Sequence, residues 1–236
     1  LVQCVTGGPE VGRALVEDPR AAVVSFTGSA ATGHEIARSA APRRTVLELG
    51  SNAALVVTGS ADPDEVVEAV VRGAFYANGQ ACISVQRIVV LDEVDAGLEE
   101  RLARALDGVV VGDPWEEGTD VAALVDEHAA ARVRAGVERA RERGARVLGT
   151  VPYREDALPD GAARAMVAPQ LLADVPTDDP LWREEVFAPV ACLRRVRDLD
   201  EAIRLVNDSR YGLQASIYTR DLAEAYEAVD ELEVGG

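Results

Sequence analysis

Short runs of aliphatic and β-branched residues alternate with helix-like stretches through the first part of the chain, and this alternation limits the fold more than any other feature. Leu1 to Val5 reads as a strand, Pro9 to Asp18 as a helix and Ala22 to Phe26 as a strand. Ala30 to Ala40 reads as a second helix, and Thr45 to Leu49 and Ala54 to Thr58 as two further strands. A βαβαβ rhythm predicts a parallel sheet with right-handed crossovers, since parallel neighbours need a long connection. Glycines stand at the strand-to-helix turns, Gly7-Gly8 and Gly28-Ser29, and ligands of open α/β sheets sit at the carboxyl ends of such strands.

The rhythm continues further along. Asp62-Pro63-Asp64-Glu65 has an N-cap, a proline at the first helical position and a glutamate placed to close a capping box. The helix it opens is expected to run to about Tyr76, before Asn78-Gly79, with a buried strand at Ile88 to Leu91. Leu98 to Leu106 and Glu127 to Arg143 are amphipathic helices, the second stopped by Gly144 and followed by a short strand at Arg146 to Leu148. Capping-box signatures recur at Asp198 and Glu201 and at Asp221 and Glu224, with an alternating strand from Leu213 to Tyr218 between them. Between Pro152 and Pro189 lie six of the eleven prolines, which predicts an ordered connection with little regular structure, covering Leu171, Leu172, Trp182 and Phe187. The chain opens inside a strand-like run and stops at Val234-Gly235-Gly236, in a turn leading out of a helix, so a longer protein is expected.

Composition removes several classes of function. Twenty-four Lys and Arg against 41 Asp and Glu give a net charge of −17, which repels nucleic-acid phosphates and anionic lipid. No apolar run reaches the roughly 20 residues of a spanning helix, and no basic leader precedes the first apolar run, so neither nucleic acid nor membrane is an expected partner. Three separated cysteines, Cys4, Cys82 and Cys192, make no disulfide framework and point to a reducing, cytoplasmic setting. With only His34 and His128 present, no histidine metal cage is expected.

Four short segments carry chemistry. Phe26-Thr27-Gly28-Ser29, with Gly33 one turn on, runs a strand into a helix N-terminus that would hold a phosphate, or is simply a serine-capped helix. Cys82, among Asn78, Gly79, Gln80 and Ser84, is a nucleophile on a polar turn or a small apolar side chain. Cys4 and Cys192, inside apolar runs, fit the second description. Glu48, flanked by leucines, is a carboxylate with a raised pKa suited to general-base work, or it faces solvent by strand alternation. Glu184-Glu185-Val186-Phe187-Ala188-Pro189 combines acids with an aromatic that would cover a planar ring.

Taken in order, Phe26-Thr27-Gly28-Ser29, Leu47-Glu48-Leu49-Gly50, Gly79-Gln80-Ala81-Cys82 and Glu184-Glu185-Val186-Phe187-Ala188-Pro189 resemble the NAD(P)-dependent aldehyde dehydrogenase superfamily. The likeness spans essentially the whole chain, including Tyr211-Gly212-Leu213 and Tyr218-Thr219-Arg220-Asp221. It implies an α/β fold in which residues 1–50 close a Rossmann-like parallel-sheet cofactor domain and residues 51–236 form most of an α/β catalytic domain. It implies Cys82 as nucleophile and Glu48 as general base, with NAD or NADP held by Gly8, Gly12, Gly28, Ser29, Gly33, Leu49, Glu185 and Phe187. Among these, Gly28 and Ser29 would meet the pyrophosphate, Gly8 and Gly12 the adenosine side, Glu185 the nicotinamide ribose and Phe187 the nicotinamide ring. Ser51 and Ala188, where many members have glycine, and Cys82-Ile83-Ser84-Val85-Gln86-Arg87 are similar to the subgroup acting on small oxygenated aldehydes, of the lactaldehyde and phosphonoacetaldehyde type. The resemblance further implies a homo-oligomer, a dimer or tetramer, when full length. A CoA-acylating enzyme and a truncated, non-catalytic interaction subunit are the alternatives; Glu48 weighs against the first, since a thiol acceptor needs no water-activating base.

Overall fold

The structure, a computed structural model, describes residues 2–236. The chain divides into two compact units, Leu1–Gly50 and Ser51–Gly236.

In the first unit, α1 (Pro9–Glu17) precedes β1 (Val23–Thr27), α2 (Ala30–Ala40) and β2 (Arg44–Glu48). The two strands pair in parallel, with Phe26 opposite Leu47 and Thr27 opposite Glu48. Arg43 closes the unit by donating to the carbonyls of Val16, Asp18 and Ala21, so the end of α1 is fastened to the start of β2. The strand expected at Leu1 to Val5 is not formed: Leu1 lies outside the described residues, and Val2 to Val5 are exposed with no regular structure. A strand exists only against a ladder partner, and β1 and β2 alone make up this sheet.

The second unit is built on a six-stranded sheet. Its elements in order are β3 (Ala54–Val57), α3 (Pro63–Phe75), β4 (Arg87–Leu91), α4 (Leu98–Ala105), α5 (Glu127–Glu142), β5 (Arg146–Thr150), β6 (Gln170–Ala173), α6 (Pro180–Arg183), β7 (Val190–Val196), α7 (Leu199–Asn207), β8 (Ala215–Tyr218) and α8 (Leu222–Glu231). Strands lie in the order β5-β6-β7-β4-β3-β8, all pairings parallel except that of β5 with β6. The Ala54 to Thr58 run therefore does not extend the first sheet, as the βαβαβ rhythm implied; it pairs with β4 and β8 instead. β3 and β4 are buried along their whole length because helices cover both faces of the sheet, so they read as continuous apolar runs without alternation. Val66, Val70 and Ala74 of α3, Val133 and Val137 of α5 and Ile203 of α7 supply that cover.

The proline-rich stretch holds more order than its composition implies. Leu171 and Leu172, fully buried, form β6, and Trp182, 2% exposed, sits in α6 behind the proline at that helix's first position; of the four residues named above only Phe187 stays exposed. Prolines fall before or after these elements, where no ladder hydrogen bond is lost. The capping boxes form only in part. Asp62, Asp198 and Asp221 each cap their helix, but Glu65 makes no return bond, Glu201 accepts from the Arg197 N–H one residue early, and Glu224 accepts from the Thr219 hydroxyl.

Candidate active site

In the first unit Gly28, Ser29, Glu48 and Leu49 lie where open α/β sheets place ligands, at the carboxyl ends of β1 and β2, with Gly33 in the first turns of α2, whereas Gly8 and Gly12 belong to α1, which no described strand precedes. Ser29 caps α2: its hydroxyl accepts from the Thr32 N–H at 3.3 Å and donates to the Thr32 hydroxyl at 3.0 Å. The first turn of α2 holds no acidic residue, nor does that of the four-residue α6, whereas α1, α3, α4, α5, α7 and α8 each carry one or two, so the positive end of the α2 dipole is left for an anion. A side chain at Gly28 would strike the ring of Phe26, and one at Gly33 would strike Leu49. Gly33 and Leu49 are thus brought together as a close helix-to-strand contact, and their part in any cofactor site is to let α2 approach the sheet. Gly8 caps α1, with its carbonyl accepting from the Val11 N–H at 3.0 Å, and Gly12 opens onto free space. Glu48 is exposed at the end of β2, in a strand whose burial alternates, so the apolar enclosure expected from its leucine neighbours is not formed. Strand alternation explains this, because Leu47 and Leu49 point to the opposite face.

In the second unit the candidates gather at the amino ends of strands. Ser51 and Asn52 precede β3, Cys82 and Gln86 precede β4, and Glu185, Phe187 and Ala188 precede β7; these three strands are adjacent in the sheet. Cys82 is half-buried on a turn following a one-turn 3-10 helix at Tyr76–Gly79. Ala77, Asn78 and Gly79 have φ of 49°, 63° and 64°, three consecutive left-handed residues ending three positions before the thiol, of which Ala77 and Asn78 carry strain. The strain is held by Asn78, whose Nδ2 donates to the Ala123 carbonyl at 3.3 Å and whose Oδ1 accepts from the Ala122 N–H at 2.8 Å. Gly79 admits no side chain: a Cβ there would run into the Ala188 carbonyl oxygen. The turn and the Glu185 loop are therefore in direct backbone contact, and Gly79, Ala81, Ser84, Glu185 and Phe187 line one small cavity with Ser51.

Glu185 is half-buried, and one of its carboxylate oxygens accepts from the Ser51 N–H at 2.9 Å. Burial raises its pKa, against the opposing pull of that N–H and of the Arg132 charge. Phe187 has φ of 54° and is 37% exposed, so its ring is presented outward on a strained backbone. Cys4 is exposed, contrary to its apolar run, because the segment around it forms no strand. Cys192 is buried in β7, and burial pushes its thiol up to about 12, with the Asp179 charge adding to the effect.

The support of this site was not identified in the sequence. Gln86 Nε2 donates to the Glu184 carbonyl at 2.7 Å and the Leu181 carbonyl at 3.3 Å, and its Oε1 accepts from the Val186 N–H at 2.8 Å. Asn52 Nδ2 donates to the carbonyls of Trp182 and Arg183 at 3.3 and 3.2 Å. Arg132 donates to the Val186 carbonyl at 3.0 Å, and the Tyr211 hydroxyl accepts from the Glu185 N–H at 3.3 Å. Arg87, buried beside the Trp182 ring, donates to the carbonyls of Asn52, Leu205 and Val206, and desolvation lowers its pKa to about 10. Asp179, with no side-chain exposure, caps α6 and pairs with Arg139 at 3.1 Å and Arg143 at 2.9 Å. The available signal was Gln86-Arg87 directly before a fully apolar strand, a polar pair at a position that cannot face water.

The profile of the aldehyde dehydrogenase family matches residues 1–236. Among curated proteins, the chain is 37% identical over 237 residues to 3-sulfolactaldehyde dehydrogenase of Priestia megaterium, covering 100% of this chain and 48% of that protein. Among solved structures, lactaldehyde dehydrogenase from Escherichia coli superimposes with a TM-score of 0.87 at 35% identity, covering 95% of this chain and 46% of that one. The glyceraldehyde-3-phosphate dehydrogenase GapN of Methanocaldococcus jannaschii, complexed with NADP, gives 0.90 at 32% identity, with 98% and 49% covered. The chain spans about half the length of the relatives it matches.

Proposed function

The chain belongs to the aldehyde dehydrogenase family, and on that premise we propose that the complete protein oxidises a small oxygenated aldehyde to the carboxylic acid with NAD or NADP. The observation that carries this reading is the Cys82 turn, a half-buried thiol behind three left-handed residues, packed against the loop that bears Glu185 and Phe187. The lactaldehyde and sulfolactaldehyde dehydrogenases among its relatives support the substrate class.

The residues present suit a nicotinamide dinucleotide. The acid-free N-terminus of α2 with Ser29 and Gly28 matches a pyrophosphate, and Gly12 leaves room on the adenosine side, where only the flexible Glu10 side chain stands against Gly8. Glu185 offers a carboxylate to ribose hydroxyls, and Phe187 an outward ring to the nicotinamide. The chemistry supplied by the bound dinucleotide is acceptance of a hydride.

In this reading the Cys82 thiolate adds to the aldehyde carbon and forms a thiohemiacetal, whose oxyanion is stabilised by backbone N–H groups of the turn. Loss of hydride leaves a thioester on the Cys82 sulfur. Glu48 then takes a proton from water, the hydroxide adds to the thioester carbon, and collapse expels the Cys82 thiolate and the carboxylic acid. An exposed Glu48 at a strand end favours hydrolysis over transfer to CoA, since it has access to water. The reading also carries a reducing, cytoplasmic setting that keeps Cys82 a thiol, and a homo-oligomer.

Cys82→Ser in the complete protein tests it. Aldehyde-dependent NAD(P)H formation should fall at least about a thousandfold, and retained turnover would overturn the assignment. Glu48→Gln should trap the thioester, and product formation with and without CoA separates acid from acyl-CoA as the outcome.

A further inference from the structure

Gln86 is buried, uncharged and four residues beyond the proposed nucleophile. All three of its side-chain hydrogen bonds go to main-chain atoms of one segment, the carbonyls of Leu181 and Glu184 and the N–H of Val186. Its own backbone is fixed on both sides, with its N–H donating to the Ala53 carbonyl at 3.0 Å and its carbonyl accepting from the Cys192 N–H at 2.8 Å. A side chain that only filled space here would strip the buried Val186 N–H and the part-buried Glu184 carbonyl of this partner and leave the Leu181 carbonyl with only the Cys192 thiol at 4.0 Å. Gln86 therefore ties the end of the Cys82 turn to the residues on either side of Glu185.

We infer that Gln86 is a positioning residue for the nicotinamide half of the cofactor, holding the backbone of Glu184–Val186 so that Glu185 and Phe187 keep a fixed relation to the Cys82 turn. The inference rests on the assignment of Glu185 and Phe187 above. It separates from a role in folding alone because the adenosine half is assigned to Gly8 and Gly12, whereas every side-chain bond of Gln86 goes to residues 181–186.

The test is calorimetric titration of the complete protein with NAD(P)+ and, separately, with ADP, which lacks the nicotinamide riboside. Gln86→Met keeps the volume and removes every polar partner; it should weaken NAD(P)+ about tenfold while ADP binding stays unchanged. Gln86→Glu keeps the acceptor for the Val186 N–H but sets a carboxylate against two carbonyls, and it serves as the second variant if the methionine protein does not fold. It should shift NAD(P)+ affinity in the same direction. Equal loss for both ligands, or no loss for either, would overturn the inference and leave the nucleophile assignment standing. A wild-type protein that binds neither ligand would overturn both.

Discussion

Gly79 is the position where backbone geometry and the candidate site meet, and alanine there separates two costs. At φ of 64° an L-residue costs about 1–2 kcal/mol. The added methyl also lies against the Ala188 carbonyl and 2.8 Å from the Pro189 nitrogen. Those are backbone atoms that cannot rotate away, so the 185–189 loop must shift. Overpacking of this kind costs about 1–3 kcal/mol, which brings the total for Gly79→Ala to about 2–5 kcal/mol. Gly161→Ala is the matched control: its φ is 81° and nothing lies within 4 Å of the Cβ, so it should show only the first cost, about 1–2 kcal/mol. Urea unfolding followed by tryptophan emission reads the difference. Trp182 is 2% exposed in the second unit's core while Trp115 is 91% exposed, so the change in emission on unfolding comes mainly from Trp182. The midpoint for Gly79→Ala should lie clearly below that for Gly161→Ala. Equal midpoints would refute the argument that the Cys82 turn and the Ala188 backbone are in contact.

Two further outcomes follow from buried groups. Burial works to raise the Asp179 carboxyl, but Arg139, the Leu181 N–H and Arg143 outweigh it and hold it below the ordinary value of 3.8. Its ion pairs therefore contribute stability that is full above pH 3.8 and fades as pH falls through the lower folded value. Asp179→Asn should flatten that acid limb and cost about 1.5–3 kcal/mol at neutral pH, since the two arginines left behind still reach water, and an acid-unfolding series showing the wild-type limb unchanged would contradict the pairing. Iodoacetamide on the native protein at neutral pH should label Cys4 and Cys82 and spare Cys192, whose thiol is buried and pushed up to about 12; mass spectrometry showing Cys192 alkylated before unfolding would contradict its place in β7.

Much of the architecture was legible because it is local. The helices starting at Pro63 and Leu199 announce themselves through their aspartate caps and the one starting at Glu127 through its amphipathic run, and each forms within a residue of its expected start. Partnership was not legible. Val2 to Val5 and Ala54 to Val57 look alike as apolar runs, yet only the second has β4 and β8 beside it. Gln170–Ala173 was hidden among prolines for the complementary reason, that pairing with β7 and β5 overrides an unpromising composition. Cys82 and Glu185 could be singled out as chemistry-bearing residues, but the supports Gln86, Asn52 and Asp179 could not: apart from the Asp179 cap on the Leu181 N–H, their side chains bond to partners 36 to 157 residues away. The expectation that candidates sit at the carboxyl ends of strands holds for Gly28, Ser29 and Glu48, whereas Cys82, Glu185 and Phe187 precede their strands.

The grip on residues 181–186 has a consequence for how such a protein can change over generations. Gln86, Asn52 and Arg132 engage that segment only through its main chain, at five carbonyls and one nitrogen, and Tyr211 accepts from the Glu185 N–H while donating to the Glu184 carboxylate. Every amino acid other than proline offers the same main-chain groups. The side chain at position 183, whose ion pair with Asp208 is solvent-exposed, can therefore change while the loop keeps its course, and the surface there can diversify without rebuilding what holds the loop in place.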